Sequence, residues 1–273
     1  MAVLEYYERC QQRKEPMTGS AGSPVFFCHA SLCSAPCSSV GSPVPPTPPC
    51  AGHPRLGTAL SRPPMLGELD HPNIVLIFEI FELTDGMVYI VMESAAFDLQ
   101  QRLQQLGKLP CVPDARDIFV QVVGAVHCLH NHNIVHRDLK CENILLSADG
   151  RQAKIDFSLS KEMSSYPEVS STFCGTEAYM APEMWLHYPH GAKKLDIWSL
   201  RVVLLAMVTG SLPFHGCLCN TIQHQKDGVQ HLRGVSALPE PCQALLVQLL
   251  QFLPSSRPSV EQVASNSWLK GDN

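Results

Sequence analysis

The sequence predicts an α+β fold, with a small strand block followed by a mostly helical remainder. Three observations predict it. Residues 76–82 and 87–93 are rich in β-branched and aromatic side chains and flank a turn at Thr84, Asp85 and Gly86. Downstream, several stretches repeat apolar residues at three- and four-residue steps. Between the two blocks, His136, Arg137, Asp138, Leu139, Lys140, Cys141, Glu142 and Asn143 form a charged run. The 273 residues suffice for one domain with a sizeable core.

Residues 1–15 have the composition of a short charged helix. Residues 16–64 are too rich in Pro and Ser for a helix or a central strand, and residues 1–64 are expected to be largely disordered. Pro45, Pro46, Thr47, Pro48 and Pro49 suit either a passive linker or a polyproline-binding partner. Cys28, Cys33, Cys37 and Cys50 lie here without a C-x-x-C pair, so incidental thiols are favoured over zinc. The net charge of −5 gives no reason to expect nucleic acid or an anionic membrane as partner. No apolar run is long enough to span a bilayer, and residues 1–9 lack a signal peptide's basic start and apolar core. The expected location is cytoplasmic, with the 12 cysteines mostly reduced.

Order is expected from residue 65, with 76–82 and 87–93 as a hairpin. Residues 98–106 place leucines at helical intervals, and Gly107 fits a helix stop. A second helix over 114–130 presents Ile118, Val122, Val126 and Leu129 on one face and leads into the charged run. His127, His130 and His132 near its end are read as ordinary surface or core residues, because no ligand partner lies at a metal-binding spacing. Residues 144–146 form a short apolar strand, 147–150 a turn, and 153–155 lead into Asp156, Phe157 and Ser158. A serine-rich loop holding Pro167 and Thr172 runs to Ala181, Pro182 and Glu183. Residues 196–210 are nearly all apolar and are expected to be a buried helix. Further helices are expected over 244–252 and 260–268.

The charged run matches H-R-D-L-x-x-x-N at every fixed position, and so resembles the catalytic loop of protein kinases. Asp156, Phe157 and Ser158 stand where such kinases carry D-F-G, with Ser158 in place of the flexible glycine. Ala181, Pro182 and Glu183 resemble the A-P-E that closes their activation segment. Residues 65–270 resemble a eukaryotic serine/threonine protein kinase. Residues 78–82, 89–93, 136–143, 172–175 and 267–269 are similar in style to the testis-specific serine/threonine kinases.

The resemblance implies a two-lobed protein-kinase-like fold: residues 65–94 as the remnant of a small β lobe, and 95–270 as the large lobe. It implies ATP and Mg2+ as cofactors and a protein as substrate or scaffold partner, with a role in spermatogenesis. Asp138 would take or orient the substrate hydroxyl proton, and Lys140 would sit beside the transferring phosphoryl group. Asn143 and Asp156 would hold the metal. Met92, Glu93 and Ser94 would be the hinge that meets adenine, with Leu145 under its ring. Thr172 would be an activating phosphosite paired with Arg137. Glu183 would pair with Arg257, and Asp196 would anchor the catalytic-loop backbone.

The departures from the pattern bear on activity. The first 70 residues contain no G-x-G-x-x-G, and their sole lysine, Lys14, lies in a charged stretch rather than an apolar strand. No other lysine precedes Lys108. Counted back from His71, the position of the helix glutamate falls near Arg62, beside Pro63 and Pro64. Arg201 stands where the family has glycine, and a buried arginine would need a partner. Three readings follow: an impaired kinase, a pseudokinase acting as a binding or scaffold protein, or a non-functional truncated product.

Overall fold

A computed structural model describes residues 25–30, 58–59, 69–82, 88–157, 160–163, 169–170, 176–188, 190–213, 218–227 and 234–271. The chain divides into two compact units: residues 1–67 with 76–94, and residues 68–75 with 95–273.

The first unit is built on a four-stranded sheet. Its strands are β1 (Val25–Ala30), β2 (Thr58–Ala59), β3 (Ile77–Glu82) and β4 (Val88–Glu93), in the order β1-β4-β3-β2. β3 and β4 form the expected antiparallel hairpin, with an irregularity between Ile77 and Glu79. β1 pairs antiparallel with β4 from Val25 opposite Glu93 to Ala30 opposite Val88. Within residues 1–64, expected to be largely disordered, Val25–Ala30 and Thr58–Ala59 are strands. Val25, Phe26, Phe27 and Cys28 are a short run of strand-forming residues, and β4 supplies the ladder that the prolines around them cannot. The charged helix over 1–15, the polyproline run, and Cys33, Cys37 and Cys50 lie outside the described residues.

The second unit is mostly helical. After β5 (Phe97–Asp98) comes α1 (Leu99–Leu106), where Asp98 and Gln101 cap each other reciprocally and Gly107 ends the helix. A turn at Cys111–Ala115, with Val112 extended, precedes α2 (Arg116–Asn131), which starts two residues later than the spacing suggested. The short strands β6 (Ile134–Val135), β7 (Ile144–Leu146), β8 (Ala153–Ile155) and β9 (Lys161–Glu162) follow, with β5, β7 and β8 in one sheet and β6 paired to β9. Asn73 ties the segment before Leu76 to this unit: its amide donates to Gln121 and to the Ala153 carbonyl, both at 2.8 Å.

The remaining helices are α3 (Pro182–Trp185), α4 (Ala192–Thr209), α5 (Leu218–Asp227), α6 (Glu240–Leu249), α7 (Val260–Ala264) and α8 (Ser267–Lys270). α4 is buried along nearly its whole length, as its apolar composition requires. Gly210 caps it at φ +75°, where a Cβ would collide with the Gly107 carbonyl. The helix expected over 244–252 instead starts at Glu240, behind Pro239, and ends at Leu249. The helix expected over 260–268 is broken in two, because the Asn266 side chain accepts from the Trp268 N–H and starts a new helix. Among the described residues no helix is long and apolar enough to cross a membrane.

Candidate active site

The charged run forms a loop between β6 and β7, ending in a short 3-10 turn at Cys141–Asn143. Its shape is imposed from below. Arg137 sits at φ +70°, a left-handed conformation that costs a non-glycine residue about 1–2 kcal/mol. Asp196, on α4, holds that turn: its carboxylate accepts the His136 and Arg137 N–H groups, both at 2.9 Å. The same carboxylate meets His130 Nε2 at 2.8 Å. Burial alone would push the Asp196 pKa up. The hydrogen bond and charge of His130, aided by His136, outweigh burial and hold it below the usual carboxylate value. His136 is also buried, and desolvation keeps its pKa below 6.5 despite the carboxylates near it.

Asp138 is the focus of a dense set of donors. Thr176 donates to Oδ1 through its backbone N–H at 3.1 Å and its hydroxyl at 2.9 Å. Lys140 Nζ lies 2.9 Å from Oδ2 and donates to the Thr176 hydroxyl oxygen at 2.9 Å. Asn143 Nδ2 donates to the Asp138 carbonyl at 2.7 Å and to Oδ2 at 3.2 Å. The carboxylate is therefore fixed in orientation by its partners. A cleft lined by Asp138, Thr176, Met180, Ala181, Met184 and Leu195 lies beside it. Asp156 follows β8, and its N–H donates to the Asn143 carbonyl at 2.9 Å, which joins the backbones of the two expected metal ligands. Phe157 is buried. Leu145 is half-buried in β7, opposite Lys154 of β8.

The donor set fits magnesium. Asn143 commits its amide nitrogen to Asp138, which leaves Oδ1 as the ligand type, and Asp156 adds a carboxylate. Among the described residues no group of three His, Cys, Asp or Glu could hold a metal by itself.

Glu183 and Arg257, 74 residues apart, form a buried two-pronged pair at 2.6 and 2.7 Å. Arg257 also donates to the carbonyls of Gln251, Phe252 and Lys194 at 2.8, 3.1 and 3.1 Å. Its guanidinium lies 4.9 Å from the centre of the Trp198 ring. Arg201 is fully buried and reaches the same ring at 5.0 Å. In the first unit, Met92 is buried and Glu93 ends β4, its N–H donating to the Leu76 carbonyl at 2.9 Å and its carboxylate accepting the Leu76 N–H at 2.7 Å. Ser94 follows, half-buried. Thr172 and Ser158 lie outside the described residues.

Two residues were missed in the sequence. Thr176 reaches Asp138 across 38 positions and His130 reaches Asp196 across 66, so no local spacing could link them. His130, read as an ordinary surface or core residue, lies in the core, where α4 supplies the carboxylate it meets.

Residues 58–269 match the model of the protein kinase domain. The chain is 41% identical over 208 residues to testis-specific serine/threonine-protein kinase 3 of Mus musculus, spanning 74% of this chain and 75% of that protein. It is 40% identical over 205 residues to the protein of the same name from Homo sapiens, with the same two shares. Against sperm motility kinase 3A of Mus musculus it is 35% identical over 215 residues, covering 77% of this chain and 41% of that protein.

Proposed function

The chain belongs to the serine/threonine protein kinases, with the testis-specific kinases among its relatives, and on that premise we propose that it transfers the γ-phosphate of ATP to protein serine or threonine at a strongly reduced rate. The observation that carries the proposal is the donor set around Asp138: Lys140, Thr176 and Asn143 hold one carboxylate in a fixed orientation.

In this reading Asp138 accepts or orients the proton of a substrate hydroxyl, and the Thr176 and Lys140 contacts keep it aimed. Lys140, already within reach of Asp138, carries the positive charge that faces the phosphoryl group as it transfers. Asn143 Oδ1 and Asp156 would hold a magnesium ion, which would supply positive charge to the phosphoryl group as it transfers. Met92, Glu93 and Ser94 are assigned to adenine, and Leu145 to the face of its ring. Because the Glu93 N–H is already engaged by Leu76, adenine is met by the other hinge atoms. Thr172 is the proposed phosphosite and Arg137 its partner. Residues 65–94 act as the reduced small lobe and 95–270 as the large one, in a cytoplasmic protein of spermatogenesis.

The reduced rate follows from composition. No lysine lies between Lys14 and Lys108, and no glycine-rich phosphate cover precedes residue 70. Losing one such preorganised donor lowers turnover by about 10²–10³-fold in comparable sites. The same observation favours the second reading, a pseudokinase that uses the large lobe as a scaffold.

Thermal melts with and without Mg-ATP, beside an Asp156→Asn variant, test the nucleotide site. A Tm raised in the parent and unmoved in the variant supports it, since a ligand specific to the folded state stabilises by mass action. Phosphotransfer to a generic serine/threonine substrate should then be measurable, and Asp138→Asn should lower it by about 10²–10⁴-fold. A cooperative melt indifferent to Mg-ATP sinks the kinase reading and leaves the scaffold.

A further inference from the structure

One buried polar side chain stands outside the donor set around Asp138 and yet holds the same stretch of backbone. Gln225, on α5, is 1% exposed, whereas its neighbours His224 and Lys226 are exposed. α5 packs against α3. From there Gln225 reaches back 45 positions, and its Nε2 donates to the Met180 carbonyl at 3.0 Å. Met180 lines the cleft beside Asp138, with Ala181, Met184 and Leu195. The turn before it is held from other sides. Thr176 bonds Asp138 at one end. The Ser199 hydroxyl of α4 donates to the Tyr179 carbonyl at 3.2 Å, and the Tyr179 hydroxyl accepts the Cys141 N–H at 3.3 Å. Gln225 fixes the other end.

We propose that Gln225 is a positioning residue for the protein substrate: by holding the Met180 carbonyl it sets the wall of the cleft against which the substrate chain lies beside Asp138. The inference rests on the kinase reading above and deepens it, because it assigns a role to a residue that touches neither the phosphoryl group nor Asp138.

The chemistry of the amide separates this role from plain packing. A carbonyl only accepts, so Nε2 must face Met180 and Oε1 must turn away. That Oε1 is buried and has no hydrogen-bond partner among the described residues. An unmatched buried acceptor costs stability. Gln225 therefore brings one unmatched acceptor into the interior while satisfying another. Replacing it by methionine, of similar length and volume, removes Oε1 and deprives the Met180 carbonyl of its donor, so the number of unmatched acceptors stays the same. Stability gives no reason to prefer glutamine here. What methionine cannot supply is the hold on the Met180 backbone. Without it that carbonyl turns to find another donor, and the cleft wall shifts with it.

The test compares the full-length parent with Gln225→Met. In the variant kcat/KM for casein should fall by about 10–10²-fold, the scale of a small misplacement in a reacting complex. Tm should stay near that of the parent, and the rise in Tm with Mg-ATP should be the same in both chains. Hydrogen exchange supplies a readout that needs no phosphotransfer. The Tyr179 and Met180 N–H groups donate to the Thr176 and Glu177 carbonyls at 2.9 and 3.1 Å, and both should exchange faster in the variant. If the parent leaves casein unphosphorylated, the kinase reading fails by itself, and the exchange rates still decide whether Gln225 holds the turn. Parent-like kcat/KM, or parent-like exchange, overturns the proposal. A Tm that drops in step with activity, or loss of the cooperative melt, gives Gln225 a packing role and overturns it as well.

Discussion

Arg257 and Arg201 are both buried, both lie about 5 Å from the ring of Trp198, and yet sit in opposite electrostatic situations. Arg257 faces Glu183 through two short hydrogen bonds and three backbone carbonyls. Arg201 lies in the apolar middle of α4, where burial, and then the charge of Arg257, drive its pKa well below the ordinary value. A buried cation is stable where a carboxylate and carbonyls replace its water, and a burden where a second cation is among its neighbours. The Glu183 pair is the buried charge the resemblance implies. Arg201 stands where that resemblance calls for glycine, and α4 accommodates it through contact with an aromatic face.

The largest way to sharpen the contrast is Glu183→Ala. It strands Arg257 in the interior and should destabilise the chain by about 3–5 kcal/mol in urea or thermal unfolding. A loss below about 1 kcal/mol would mean that the carbonyls around Arg257 suffice without the carboxylate. Arg201→Met is the opposite experiment, keeping side-chain bulk and removing the charge. Stability in urea or thermal unfolding should rise, because the desolvation cost of the buried charge is removed while the contact with the Trp198 ring is kept by bulk. A clear destabilisation would show that the contact with Trp198 outweighs the buried charge.

The smallest effect is in pH. The His136 pKa is lowered in the folded chain, so below 6.5 the unfolded chain takes up a proton that the folded chain refuses. Stability should therefore fall as pH drops from about 6.5 towards the folded pKa, by about 1.4 kcal/mol per unit at most. Asp196 has the depressed pKa of a held carboxylate, so its contribution is present above 3.8 and is lost only as pH falls below that value. Denaturant midpoints from pH 7 to 5, compared with His136→Asn, separate the two. An unchanged slope in the variant would assign the loss to another group, His71 being the first candidate because burial also lowers its pKa.

The second unit was legible in the sequence where chemistry is local. His136, Asp138, Asn143 and Asp156 fall close together in the chain, and the strand, turn and helix signals around them hold in the structure. Asp98 and Gly107 bracket α1 as their residue types require. The first unit was less legible. β1 comes from a proline-rich neighbourhood and owes its strand form to a partner some 60 residues later. Strand propensity there is decided by the ladder, not by the residues alone.

The sequence by itself determined the family, the α+β class and the identity of the groups in the loop at 136–143, because these depend on residue types at short spacing. The tertiary structure decided how that loop is held. Asp196 supports a left-handed Arg137, Thr176 and Lys140 aim Asp138, and Glu183 neutralises Arg257. Each contact except that of Lys140 joins residues 38 or more positions apart. Buried charges take whatever partner the packed core brings within 3 Å, and only the folded chain sets that distance.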